Sequence, residues 1–265
     1  MFRSILTRIA RRKVETALLG VTSLVAAAGL LVQSRSSDIV TSRPVATYVT
    51  TAAVSHIPAL AKAAQSSSVT AAASGKTLAK IANPRVDSWI QRFTTDLRST
   101  FATDLGRMER YSDMITGKLD DRGMPRDLIY LAMIESEFNP TAKSHVQARG
   151  LWQFMSATAR RFGLTVSKHV DQRTDPAKST DAALTYLAQL KDRFGSWYLA
   201  AAAYNSGEGT VLRALKRVTG RTTGTDADFY RISPKLPKET RDYVPKLIAA
   251  ARIGANPERY GFGAN

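Results

Sequence analysis

Two acids, Glu135 and Glu137, close an apolar run within MPRDLIYLAMIESEFNPTAKSHVQARGLWQFM, residues 124–155. Pro125 suits the first turn of a helix, and Asn139-Pro140 should stop it, because proline disfavours a helical residue before it. An α-helix turns about 100° per residue, so Leu128, Leu131, Ala132 and Glu135, spaced i, i+3, i+4, i+7, share one face. Glu137 points about 180° away from Leu128 and is expected in solvent. Glu135 is expected on the stripe that is buried. A carboxylate there is costly unless it is paired or held neutral. Held neutral, it would keep its proton to near pH 7 and could serve as a general acid. The alternative from phase alone is a half-exposed Glu paired with Arg or Lys.

The elements that must carry this acid are helical throughout. From Asn83-Pro84 onward, Val86, Ile90, Phe93 and Leu97 recur at three- and four-residue steps, and the run continues through Phe101, Leu105, Met108, Tyr111, Met114 and Ile115. This pattern predicts one long amphipathic helix, or two in series broken near Gly106. After the 124–155 stretch, TARRFGL should end a helix at Gly163, and Asp175-Pro176 should start one that runs to Gly195. SWYLAAAAYN reads as a nearly all-apolar helix at the centre of the core. Asn205 to Gly209 should turn into TVLRALKRV, and LPKETRDYVPKLIAAARI should form a last helix bent or restarted at Pro245. No alternating strand is evident, so the expected class is all-α in a compact, bundle-like lobe.

Composition narrows the surroundings. In 265 residues, 38 Lys+Arg against 22 Asp+Glu gives +16, which favours nucleic acid, anionic lipid or the acidic polymers of a bacterial wall. There is no cysteine, which excludes disulfides, thiolate metal sites and a Cys nucleophile. His56, His145 and His169 lie far apart, so neither a metal site nor a cofactor is expected. Residues 1–34 read as an export signal or a retained membrane anchor. A basic start precedes the uncharged run from Thr16 through Ser34, and this charge order sends the rest of the chain outward. Residues 35–84, rich in Ala, Ser and Thr, read as a linker.

Residues 124–155, DPAKSTDAALTYLAQLKDRFGSWYLAAAAYNSGEG (175–209) and ETRDYVPKLIAA (239–250) together resemble a lytic transglycosylase of the soluble-lytic-transglycosylase superfamily, and within it the membrane-bound lytic transglycosylase D type. The resemblance covers about residues 85–262. It implies a lysozyme-like helical catalytic domain that cleaves peptidoglycan between N-acetylmuramic acid and N-acetylglucosamine. It further implies that Glu135 is the single catalytic acid/base and that the product ends in 1,6-anhydromuramic acid. The family's binding positions fall on Ser144, on Gln153 and Met155 in the Gly150–Met155 loop, on Tyr204 and Asn205, and on Tyr243. Tyr243 and Ser144 would hydrogen-bond the carboxyl and the substrate's acetamido group, while Tyr204 and Asn205 would hold the sugar. Leu151, Trp152 and Phe154 should face the core, and Gln153 and Met155 the cleft.

Simpler readings stand beside these. Tyr204 could be core packing, Asn205 a turn cap, and Ser144 one serine of a polar connector; Asp171 and Asp175 read as turn and cap residues. Two positions depart from the family pattern. Gln147 replaces a glycine whose place can demand positive φ, and Ser156 stands where proline is common. The implied location is the periplasm, soluble or anchored to the inner membrane, with peptidoglycan strands as substrate and cell-wall or secretion machinery as candidate partners. A hydrolytic muramidase and a non-catalytic wall-binding scaffold are the competing functions. The export signal and the absence of a nucleic-acid-binding motif argue against a specific nucleic-acid partner.

Overall fold

A computed structural model describes residues 77–78 and 80–263. The expected signal or anchor at 1–34, and most of the expected linker, lie outside the described residues. Nine α-helices occur among the described residues: α1 (Pro84–Thr94), α2 (Arg98–Asp121), α3 (Ile129–Ser136), α4 (Ser156–Arg161), α5 (Pro176–Phe194), α6 (Trp197–Ser206), α7 (Glu208–Thr219), α8 (Asp226–Ile232) and α9 (Lys238–Ala255). Only isolated β-bridges join them, at Lys143–Arg149, Arg149–Phe154 and Val166–Asp171. The class is all-α. None of these helices is long and apolar enough to cross a membrane.

Local sequence accounts for most of the boundaries. Asn83 accepts a hydrogen bond from the Arg85 N–H and Pro84 opens α1; Asp175 and Pro176 repeat the device at α5, and Ser196 caps α6. Gly195, with φ 78°, closes α5 in the left-handed region. One glycine, Gly207 with φ 84°, makes the whole joint between α6 and α7.

Two expectations are corrected. The first helical run breaks between Thr94 and Arg98, whereas Gly106 lies exposed inside α2. At the break the Leu97 N–H donates to the Arg92 carbonyl at 2.9 Å, and the hydroxyls of Thr94 and Thr95 bond back to the Ile90 and Gln91 carbonyls. An exposed helical glycine costs only about 1 kcal/mol, which packed neighbours override. The acid-bearing helix also stops before Asn139-Pro140. Its first turn, Arg126–Leu128, is a 3₁₀ turn, and Glu137 and Phe138 both take φ 54° after Ser136.

α6 is the axis of the core, with every residue from Tyr198 to Asn205 buried. It packs against α5, α7, α8 and α9. α9 in turn lies on α1, α3 and α6, and continues as a helix through Pro245. At the other end of the described chain, Leu78 is buried and its N–H donates to the Asp127 carboxylate at 2.7 Å. The packed chain therefore begins ahead of Pro84.

Candidate active site

α3 is buried on all sides, from Ile129 through Ser136. Glu135 is 8 % exposed, while Glu137, the left-handed residue just past the helix end, is exposed. Burial of Glu135 thus follows from an entirely enclosed helix rather than from one buried stripe. Its Oε1 accepts a hydrogen bond from the Tyr243 hydroxyl of α9 at 2.6 Å. Glu135 makes no ion pair with Lys or Arg within 4 Å, nitrogen to oxygen, among the described residues, which removes the ion-paired alternative. Removal from water pushes the carboxyl up from 4.5 to about 7, and nearby Glu239 adds to the rise. The Tyr243 hydroxyl and the Lys246 charge oppose it. Glu135 is therefore a buried acid able to hold or release a proton near neutrality.

The connector after α3 is a folded loop with its own internal hydrogen bonds. The Ser144 Oγ accepts from the Ala148 N–H at 3.0 Å, and the Gln153 side-chain amide donates to the Ala142 and Gly150 carbonyls. Gln147 takes φ 66° and Gln153 φ 46°, so the position where the family pattern has glycine does demand the left-handed region. Gly150, with φ 82°, passes so close to Arg173 that a Cβ would sit 1.8 Å from the Arg173 carbonyl oxygen. Arg173 itself is buried; its guanidinium donates to the carbonyls of Gln147 and Phe154 and pairs with Asp171 at 2.7 Å. Sequence reading did not single out this clamp, because an Arg in a polar turn carries no distinguishing signal. Ser156 opens α4, where its neighbour Met155 is the N-cap, a place that suits proline without requiring it.

The other expected site residues are distributed unevenly. Leu151, Trp152 and Phe154 are buried, while Gln153 and Met155 are half-buried. The Tyr204 hydroxyl donates to the Trp152 carbonyl at 2.7 Å, tying α6 to the loop, and the charge of Glu135 bears on it. Asn205 donates to Glu239 at 3.0 Å and accepts from the Thr240 hydroxyl at 2.8 Å, which ties α6 to the start of α9. Of the six expected binding residues, Tyr243 hydrogen-bonds Glu135 directly. Asn205 reaches its surroundings through Glu239. Asp171 caps the 3₁₀ turn Gln172–Thr174, and Asp175 caps α5. Among the described residues no group of His, Asp and Glu could hold a metal ion.

Residues 114–226 match the Transglycosylase SLT domain. The membrane-bound lytic murein transglycosylase D of Escherichia coli (strain K12) is 42 % identical over 156 residues, covering 58 % of this chain and 34 % of that protein. The peptidoglycan transglycosylase gp16 of Escherichia phage T7 is 34 % identical over 145 residues, covering 54 % of this chain and 10 % of that protein. Among solved structures, the 70 kDa soluble lytic transglycosylase of Escherichia coli aligns with a TM-score of 0.47 at 26 % identity, covering 56 % of this chain and 24 % of that one. The chain spans about a third of the length of the first of these relatives. Glu135 lies inside the segment that matches the Transglycosylase SLT domain, and the tyrosine that bonds it lies outside.

Proposed function

We propose that the protein is a peptidoglycan lytic transglycosylase that cleaves the bond between N-acetylmuramic acid and N-acetylglucosamine, with Glu135 as its single acid/base. The observation that carries this reading is the buried Glu135 carboxyl, held by Tyr243 at 2.6 Å and raised to about 7, within a Transglycosylase SLT domain. Most glycosidases use two carboxylates, but a substrate with a 2-acetamido group can supply its own nucleophile, so one suffices.

Glu135 gives its proton to the glycosidic oxygen while the acetamido carbonyl supports the positive charge growing at C1. The carboxylate then takes the proton of the muramyl C6 hydroxyl, which closes onto C1. The product is a 1,6-anhydromuramyl end, the acid is regenerated and no water is consumed. Tyr243 orients the carboxyl and stabilises its ionised form between the two transfers. Residues 85–262 are the catalytic domain, and Ser144, Gln153, Met155, Tyr204 and Asn205 shape or support the saccharide cleft. The names of the transglycosylase relatives support peptidoglycan as substrate, and the membrane-bound relative supports a periplasmic location.

Digestion of isolated sacculi with the purified full chain tests this, with products read by mass spectrometry. Muropeptides one water lighter than their reducing counterparts are expected, and Glu135→Gln should abolish their release. Reducing ends that depend on Glu135 would make the protein a muramidase. No turnover by the wild type would make it a wall-binding scaffold.

A further inference from the structure

α9 presents Glu239, Tyr243 and Lys246 at i, i+4 and i+7, which puts them on one face of the helix. Because Tyr243 is bonded to Glu135, its two neighbours flank the same carboxyl, one turn on either side. They carry opposite charges. Glu239 is fixed on its side by the amide of Asn205. Lys246 is half-buried, with its Nζ 5.5 Å from the centre of the Trp89 ring of α1. It makes no ion pair within 4 Å among the described residues.

The charges that act on Lys246 come from three helices and the residue past the end of one: Glu135 of α3, Glu137 just after it, Asp104 of α2 and Arg92 of α1. Arg107 stands behind, 3.5 Å from Asp104 and 3.6 Å from Glu137. The Asp104 carboxyl is buried, its Oδ1 accepts no hydrogen bond among the described residues, and desolvation raises it to about 7. Lys246 is thus a cation set among carboxyls without being paired to any one of them, so its field reaches Glu135. Neither Lys246 nor Trp89 nor Asp104 falls within the matched segment 114–226.

We propose that Lys246 is a positioning residue for Glu135: its charge, lodged over Trp89 beside Tyr243, counters Glu239 and sets the pH range in which the acid can give up its proton. The inference rests on Glu135 being the acid proposed above. Between its two proton transfers Glu135 is an anion, which Lys246 stabilises and Glu239 destabilises. Loss of the lysine makes the proton harder to release, which lowers turnover at low pH and moves the alkaline limb of the rate profile upward.

The test measures initial rates of muropeptide release from sacculi across pH 4 to 10 for the full chain carrying Lys246→Met, Lys246→Arg or Glu239→Gln. Lys246→Met should move the alkaline limb up by roughly half a pH unit, and Glu239→Gln down by a similar amount. Lys246→Arg should hold it in place. Opposite shifts from two positions on one helix face are not a product of general damage. Equal or absent shifts in folded variants overturn the proposal. Titration of the Glu135 carboxyl by ¹³C NMR in the same variants reads the effect without turnover. It therefore judges Lys246 even if the chain proves inactive, an outcome that would sink only the reading of function. Should Lys246→Met fail to fold, Lys246→Gln replaces it in both measurements.

Discussion

The buried acid should cost the fold stability at neutral pH, and the cost can be worked out. Glu135 titrates at 4.5 when unfolded and at about 7 when folded, so the folded chain holds this proton more tightly. Stability falls wherever the folded state binds more protons than the unfolded one. The contribution is intact below pH 4.5 and is lost progressively as pH rises through 7. At about 1.4 kcal/mol per pH unit, the interval corresponds to about 3 kcal/mol. Glu135→Gln removes this titration, while its amide oxygen can still accept from the Tyr243 hydroxyl. The stability of the variant minus that of the wild type should therefore rise by about 3 kcal/mol between pH 4 and pH 8.5. Urea unfolding of the full chain at half-unit pH steps measures this, and the pH-dependence of the difference, rather than its absolute value, is the readout. Asp104 titrates in both proteins and cancels to first order. A difference that stays flat from pH 4 to 8.5 would refute the argument that burial keeps Glu135 protonated, and with it the physical basis for a lone acid.

Two further outcomes are expected. Gln147→Gly should raise stability by up to about 1 kcal/mol in urea unfolding, because φ 66° strains any residue with a Cβ; a loss would mean the Gln147 side chain has a contact worth more than the strain. Tyr204→Phe withdraws the donor from the buried Trp152 carbonyl and should lower stability by about 1–2 kcal/mol, shown by a lower urea midpoint at unchanged slope.

The local chemistry of the sequence reached far into this fold. Proline after Asn or Asp fixed the starts of α1 and α5, a positive-φ glycine closed α5, and uniform hydrophobicity marked α6 as central, because each signal acts within one or two turns. The same locality explains the misreading at Gly106. Helix propensity is a weak term there, and one exposed glycine inside α2 does not outweigh the packing of the helix around it. The glycine of the family pattern, not the residue itself, pointed to position 147 as one that can demand positive φ, and Gln147 takes φ 66° there.

Glu135 stood out from its neighbours by the company of Leu128, Leu131 and Ala132, and a charged residue in apolar sequence is a signal that needs no partner to be seen. What becomes of its proton was not written there. That depends on a hydroxyl 108 residues away, on the enclosure of α3 from every side, and on two opposed charges that only the register of α9 brings to one place. Ser144 and Gln153 likewise carry side chains fit to hold a sugar, yet the loop's own carbonyls and N–H groups lie within their reach. Residue type and spacing determine which groups can do chemistry, because these are covalent facts of the chain. Dielectric, distance and hydrogen-bond competition decide what each group does, and those exist only once distant segments have packed.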